Sequence, residues 1–431
     1  MQTITWQNLT EQQKKNALMR PAVMNSTEIS NSVEVIVNEV RKNGDTALRV
    51  LTEKFDKTEI DTLLLSEAEI ENACARVSDS IKASVQLAIT NIQKFHQAQQ
   101  MPSVSVETMP GILCQQLVRP IQAVGLYIPG GTAPLLSTVM MLAIPAKIAG
   151  CEQIVLCSPP PIADEIIYTA KACGVDQIFQ VGGAQAVAAM AFGTESIPKV
   201  DKIFGPGNAY VTEAKKQVSL INGGAAMDMP AGPSEVLVIA DKSANPGFIA
   251  ADLLSQAEHD TLACSILVTP SNEVANSVAR EVEKQLEKLS RNEIARKSIE
   301  NYGRIIVTEN MNEAIDLANE IAPGHLELAV ENPFDYLSRI KNAGAIFLGE
   351  YSPEPLGDYF AGPNHTLPTS GTAKFASPLS VDAFIKKSSV IYYTREALAK
   401  VKDSIIRIAE SETLTAHANS VRVRFEDDKN E

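Results

Sequence analysis

No stretch of this 431-residue sequence stays apolar for the roughly 20 residues that a membrane-spanning helix requires. The opening MQTITWQNLTEQQKKNALMR also lacks the apolar core of a secretory signal, so the expected location is the cytoplasm. Positive charge is in deficit: a formal net charge of −14 makes nucleic acid and anionic membrane surfaces poor partners and leaves small molecules as the expected ones. Cysteine pairing is missing as well. The six cysteines (Cys74, Cys114, Cys151, Cys157, Cys173, Cys264) form no CxxC pair, and none stands beside a histidine or in a glycine-rich turn. They therefore read as buried free thiols, not as metal ligands, redox centres or nucleophiles. There is no GxGxxG fingerprint, and only five histidines occur.

What is present is enough apolar residue, 45%, to build more than one core. Residues 1 to 105 carry apolar positions every three or four residues, as in SVEVIVNEVRKNGDTALRVLTEKF, and read as a helical arm. From about residue 121 short apolar strands alternate with turns and amphipathic helices, the pattern of a parallel α/β sheet. QAVGLYIPGG, EQIVLCSPPP, DQIFQVGG and DKIFGPGN open four such units, and EVLVIA, CSILVTP, GRIIVTEN and AIFLGE form a second series. The expectation is two similar Rossmann-like lobes, one of residues 106–127 with 238–380 and one of 128–237. The stretch GGAAMDMPAGPS at 223–234 is the crossover, and residues 381–431 are a tail too short to fold alone.

In such sheets ligands bind beyond the carboxyl ends of the strands. The turns YIPGGTAP, VGGAQA and FGPGN lie there, and each opens a helix whose N-terminus attracts anions; tight connection and cofactor cradle are both open readings. Four histidines, His259, His325, His365 and His417, stand in polar, turn-like settings. His259 follows Gln256 by three positions, which puts both on one helix face within reach of one metal ion. Singly, each is as readily a hydrogen-bonded surface residue as a ligand.

Taken together, LLSQAEH, GDYFAGPNHTLPT and LTAHANSVRVR, with GLYIPGG, GGAQA, FGPGN and PAGPSEVLV at fitting intervals, resemble the histidinol dehydrogenase family over essentially the whole chain. The resemblance implies a homodimer in which the tail domain is exchanged, so that Glu412 and His417 act in the partner's site. It implies one Zn2+ per subunit on Gln256, His259, Asp358 and His417. Substrate contacts would include Ser234, His325, His365 and Glu412 along with the ligands, and Tyr127, Gln185 and Asn208 would contact NAD. The implied reaction oxidises L-histidinol to L-histidine in two hydride transfers, with His325 as proton acceptor.

One position departs from the pattern. Where the family reads PEHLEL, this chain reads PGHLEL, with Gly324 in place of the glutamate to which the resemblance assigns activation of water for the second oxidation. Loss of one acid–base group costs about 10²- to 10⁴-fold in rate. Two other readings follow: a zinc protein that binds histidinol or histidine without turnover, and a metallohydrolase that has no use for NAD.

Overall fold

The computed structural model describes residues 1–20, 27–130, 134–229 and 232–426. Part of the YIPGGTAP turn, two residues of the 223–234 crossover and the last five residues of the acidic tail lie outside this set. The chain divides into two compact units, residues 1–100 with 121–384 and residues 101–120 with 385–431.

The first unit contains two parallel sheets. One holds β4 (Ala123–Tyr127), β5 (Gln153–Ser158), β6 (Gln177–Gln180), β7 (Lys202–Phe204) and β8 (Ala226–Met227) in the order β6-β5-β4-β7-β8. The other holds β1 (Gln2–Thr5), β9 (Glu235–Ala240), β10 (Cys264–Thr269), β11 (Arg304–Val307), β12 (His325–Ala329) and β13 (Ala345–Leu348) in the order β1-β11-β10-β9-β12-β13. Central strands such as β9 and β10 are buried at every position, as expected where helices cover both faces. The helix Leu136–Ala149 shows the same logic: it is buried without interruption from Ser137 to Ala146, so it has no polar face to offer solvent.

The two parallel lobes agree with expectation, but their borders do not. Ala123–Tyr127 is the central strand of the five-stranded sheet, not part of the other lobe, because it pairs with β5 and β7. A border at residue 237/238 would cut β9, whose pairing with β10 begins at Glu235. The arm is not separate either. Its helices Thr27–Asp56 and Asp79–Gln97 place Val33, Val37, Ile89 and Ile92 in the cores that cover the five-stranded sheet. Residues 2–5 form the edge of the six-stranded sheet. The strands β1 and β12 escape the apolar-run criterion because QTIT and HLEL alternate or carry polar residues.

The second unit is an antiparallel sheet, ordered β14-β3-β2, of β2 (Val104–Met109), β3 (Ile112–Pro120) and β14 (Ile385–Tyr393), followed by helices Arg395–Ser411 and Thr415–Arg422. It therefore begins twenty residues earlier in sequence than the tail alone, because the 101–120 hairpin supplies two of its three strands. Its sheet is poorly covered: β2 is exposed at all six positions.

The turn FGPGN is locked from below. Asp228 accepts the Gly205 amide at 2.8 Å, Lys215 donates to the Gly205 carbonyl at 2.9 Å, and the two side chains form a buried ion pair. Gly205 has φ +121°, and a Cβ there would collide with the Tyr127 carbonyl oxygen. Gly205→Ala is expected to destabilise the fold by about 2 kcal/mol or more, measured by urea denaturation. An unchanged midpoint would mean that this turn has room to relax.

Candidate active site

The six-stranded sheet delivers His325 at the first position of β12, between Val236 of β9 and Ala345 of β13. Its Nδ1 lies 3.0 Å from the Glu235 carbonyl oxygen, an acceptor only, so Nδ1 carries a proton and Nε2 faces the site. There it stands 3.7 Å from Asp358 Oδ1 and 3.8 Å from Glu354 Oε1. His325 Nε2 and Glu354 Oε1 are both buried without a hydrogen-bond partner. Both carboxylates come from the short helix Glu354–Tyr359, whose four-residue spacing sets them on one face. The Glu354 amide donates to Glu327 Oε1 at 2.9 Å, and Ser255 donates to Glu354 Oε2 at 3.0 Å.

Burial alone would push the His325 pKa down, but Glu354 and Asp358 outweigh it and raise the value to about 9. Burial raises Glu354 to about 7 despite the nearby imidazole. For Asp358 burial opposes ionisation, yet the surrounding histidines His325, His365 and His259 prevail and the pKa is lowered. The balance is that of a site arranged for a positive charge. A cavity of 350 Å³ opens beside these groups, lined by His325, Asp358 and His365 among others.

His365 donates from Nδ1 to the Asp358 carbonyl at 2.9 Å, and its Nε2 lies 3.4 Å from Thr138 Oγ1 on the helix Leu136–Ala149. Burial lowers its pKa. Gln256, on the helix Pro246–Ala257, is fully buried with neither amide atom hydrogen-bonded. His259 lies just past the end of that helix and is exposed; desolvation by the surrounding walls still lowers its pKa. Ser234, half-buried, immediately precedes β9.

Among the described residues, ligand atoms of His325, Glu354 and Asp358 lie within 4.8 Å of one another and could hold a metal ion. Of the four ligands implied by the sequence resemblance, only Asp358 belongs to that group. The donor set still suits a borderline cation, and Gln256 offers an orphaned buried amide, which costs free energy unless something binds it. Glu412 and His417 belong to the second unit, just after and on its two helices, and both are exposed. Glu354 was not singled out in the sequence. Its only signal there is an acid one helical turn before Asp358.

At the carboxyl ends of the five-stranded sheet, the Tyr127 hydroxyl accepts the Gly183 amide at 3.1 Å, and burial pushes its pKa up to about 12. Gln185 is buried in the first turn of the helix Gly183–Phe192. Asn208 caps the helix Ala209–Leu220, its Oδ1 accepting from Tyr210 and Val211 at 3.0 and 3.1 Å, which leaves its amide NH2 free of that duty. Tyr127 and Gln185 thus meet through Gly183, and Asn208 stands at the end of the strand next to Tyr127's own.

The family model for histidinol dehydrogenase matches residues 19–425. The chain belongs to the histidinol dehydrogenase family. It is 53% identical over 421 residues to the histidinol dehydrogenase of Yersinia pestis, covering 98% of this chain and 95% of that one. The crystal structure of the histidinol dehydrogenase from Elizabethkingia anophelis superposes with a TM-score of 0.94 at 44% identity, covering 99% and 98% of the two chains. An acetylating aldehyde dehydrogenase from Geobacillus thermoglucosidasius, 16% identical with a TM-score of 0.50 over 89% of this chain and 97% of its own, shares the fold alone. Burial raises the thiols of Cys151 and Cys264 to about 11 and that of Cys173 to about 12, so these three stand far from thiolate at neutral pH.

The raised His325 pKa has a consequence for the metal-free protein. A proton bound more tightly in the folded state stabilises it fully below the ordinary value of 6.5, and that contribution is lost as pH rises through about 9. After chelation, the stability gap between the unaltered protein and His325→Gln should be wider near pH 6 than near pH 10, by urea titration. A gap independent of pH would refute the elevated pKa.

Proposed function

We infer that the chain catalyses the NAD-dependent oxidation of L-histidinol to L-histidine, through the aldehyde and with two NAD per substrate. The observation that carries this reading is the convergence of His325, Asp358 and His365 on one cavity in a chain that belongs to the family along nearly its whole length. We assign zinc to Gln256, His259, Asp358 and His417, with the last from a second subunit. When bound, the metal supplies positive charge that takes up the carboxylate field around His325, leaving the imidazole neutral, and holds the substrate's nitrogens. Among the described residues no helix is long and apolar enough to cross a membrane.

Proton handling then follows from the chain's own geometry. Because Nδ1 of His325 is committed to the Glu235 carbonyl, Nε2 is the atom that accepts the alcohol proton as hydride passes to the nicotinamide. His365 and Ser234 orient the substrate, and Glu412 of a second subunit pairs with its ammonium or hydroxyl. Tyr127, Gln185 and Asn208 hold the dinucleotide at the strand ends of the other lobe. In the second oxidation a water must lose a proton to form the aldehyde hydrate, and Gly324 offers no side chain for it. That half-reaction is the slow one in this reading.

Gly324 is also the observation that favours the alternative of a zinc protein that binds histidinol without completing turnover. One measurement separates them: NADH formed per L-histidinol consumed by zinc-loaded protein, beside Gly324→Glu. Two NADH from both chains means that water or another group does the work of the absent carboxylate. One NADH with aldehyde accumulating in the unaltered chain, and two in Gly324→Glu, places the defect in the second step. No NADH from either overturns the dehydrogenase reading.

The dimer with an exchanged tail is supported by the exposed strand β2 and by the placement of Glu412 and His417 on a small unit with little core of its own. Two inactive variants, His325→Gln and His417→Gln, unfolded together and refolded as an equal mixture, should recover about a quarter of wild-type activity, since half the dimers would carry one intact site of two. Recovery of none would place His417 in its own subunit's site.

A further inference from the structure

Four of the five histidines are assigned above, and the fifth, His96, is fully buried on the helix Asp79–Gln97. Its Nδ1 donates to the Ile92 carbonyl at 2.9 Å within the same helix, which makes Nε2 the acceptor. That lone pair faces the Asn364 amide Nδ2 at 3.4 Å. Burial lowers the His96 pKa and so favours the neutral ring in which Nε2 can accept.

Asn364, itself buried, spends the rest of its amide on the chain around it. Nδ2 also donates to the Met141 carbonyl at 2.6 Å, and Oδ1 accepts the Thr366 amide at 2.9 Å. Turning the amide over would set N–H against N–H and oxygen against oxygen, so its orientation is fixed. The same helix touches this loop twice more. Asn91 donates to the Phe360 carbonyl at 3.0 Å, and Gly362, at φ +116°, lies so close that a Cβ would come within 3.0 Å of Phe95 Cβ and 3.1 Å of the Asn91 carbonyl oxygen. The loop is thus laid along the helix from residue 360 to residue 364, and the next residue is His365, with its ring aimed by Asp358 and Thr138.

We propose that His96 is a positioning residue for substrate binding: through Asn364 it fixes the loop that presents His365 to the substrate. The proposal rests on the assignment of His365 to the substrate made above. None of the residues in this link is among those assigned to the dinucleotide, Tyr127, Gln185 and Asn208, so the expected signature is selective for L-histidinol. A general weakening of the fold would have no reason to single out one substrate.

The test uses the full-length, zinc-loaded protein with three variants. His96→Phe keeps the ring volume and removes the acceptor; His96→Gln places an amide oxygen where Nε2 accepts; Asn364→Ala removes the link itself. His96→Phe and Asn364→Ala should each raise KM and the calorimetric Kd for L-histidinol about tenfold, as the loss of one buried hydrogen-bonded link implies, with KM for NAD within about twofold. His96→Gln should recover most of the loss. If His96→Phe does not accumulate as folded protein, Asn364→Ala and His96→Gln carry the same comparison. Unchanged L-histidinol affinity in Asn364→Ala, or parallel losses for L-histidinol and NAD that track a falling Tm, overturns the proposal. Absence of L-histidinol binding by the unaltered chain overturns the functional reading and this inference with it, whereas binding by the unaltered chain and equally by the variants overturns this inference alone.

Discussion

The active site hangs on one buried carboxylate, that of Glu235. Its Oε1 accepts the amides of Gly324 at 3.0 Å and Ser370 at 3.1 Å, its Oε2 takes the Arg20 guanidinium at 2.7 Å, and its own carbonyl fixes the His325 ring. A single residue at the start of β9 therefore ties together the N-terminal segment, the turn before β12 and the loop that follows His365. Burying a charge of this kind is costly unless it is paired and fully hydrogen-bonded, and here both conditions are met. The same node fixes the start of β9, just after Ser234, and through the Glu235 carbonyl the ring of His325 on β12.

A second layer of acids lies behind the imidazole. Glu327 and Asp252 share a hydrogen bond, and burial raises both, Asp252 to about 6. Glu327 then holds the amide at the start of the helix that carries Glu354 and Asp358. Negative charge is thus concentrated in an interior where it would be unstable by itself, and protons or a cation must share the space. This is a costly arrangement for stability, of the sort found where charge has to be stored for chemistry.

How much of this could be read from the sequence depended on how local the cause was. The strand-turn-helix units of the two lobes were legible because apolar runs and glycine turns are properties of neighbouring residues. The family-specific strings carried His325, Asp358 and His365, and the structure puts these three on one cavity. The lobe borders were not legible, since the partner of Ala123–Tyr127 is decided by strands some thirty and eighty residues away. Glu354 and Glu235 were invisible for the same reason: an acid beside an apolar strand or a proline signals nothing until its partners arrive from distant segments. His96 reads in the sequence as one more polar residue of an amphipathic helix, and only burial and the approach of Asn364 distinguish it.

Gly324 differs from the glycines that turns demand. Its φ lies outside the left-handed range, and the space where a Cβ would stand is bounded by Pro368 O and Thr369 Cγ2 at 3.3 Å and Glu235 Cγ at 3.7 Å, a tight fit that needs shifts of a few tenths of an ångström and no new backbone path. Some glycine codons stand a single base from a glutamate codon, so position 324 lies one substitution from a carboxylate next to His325 in the chain.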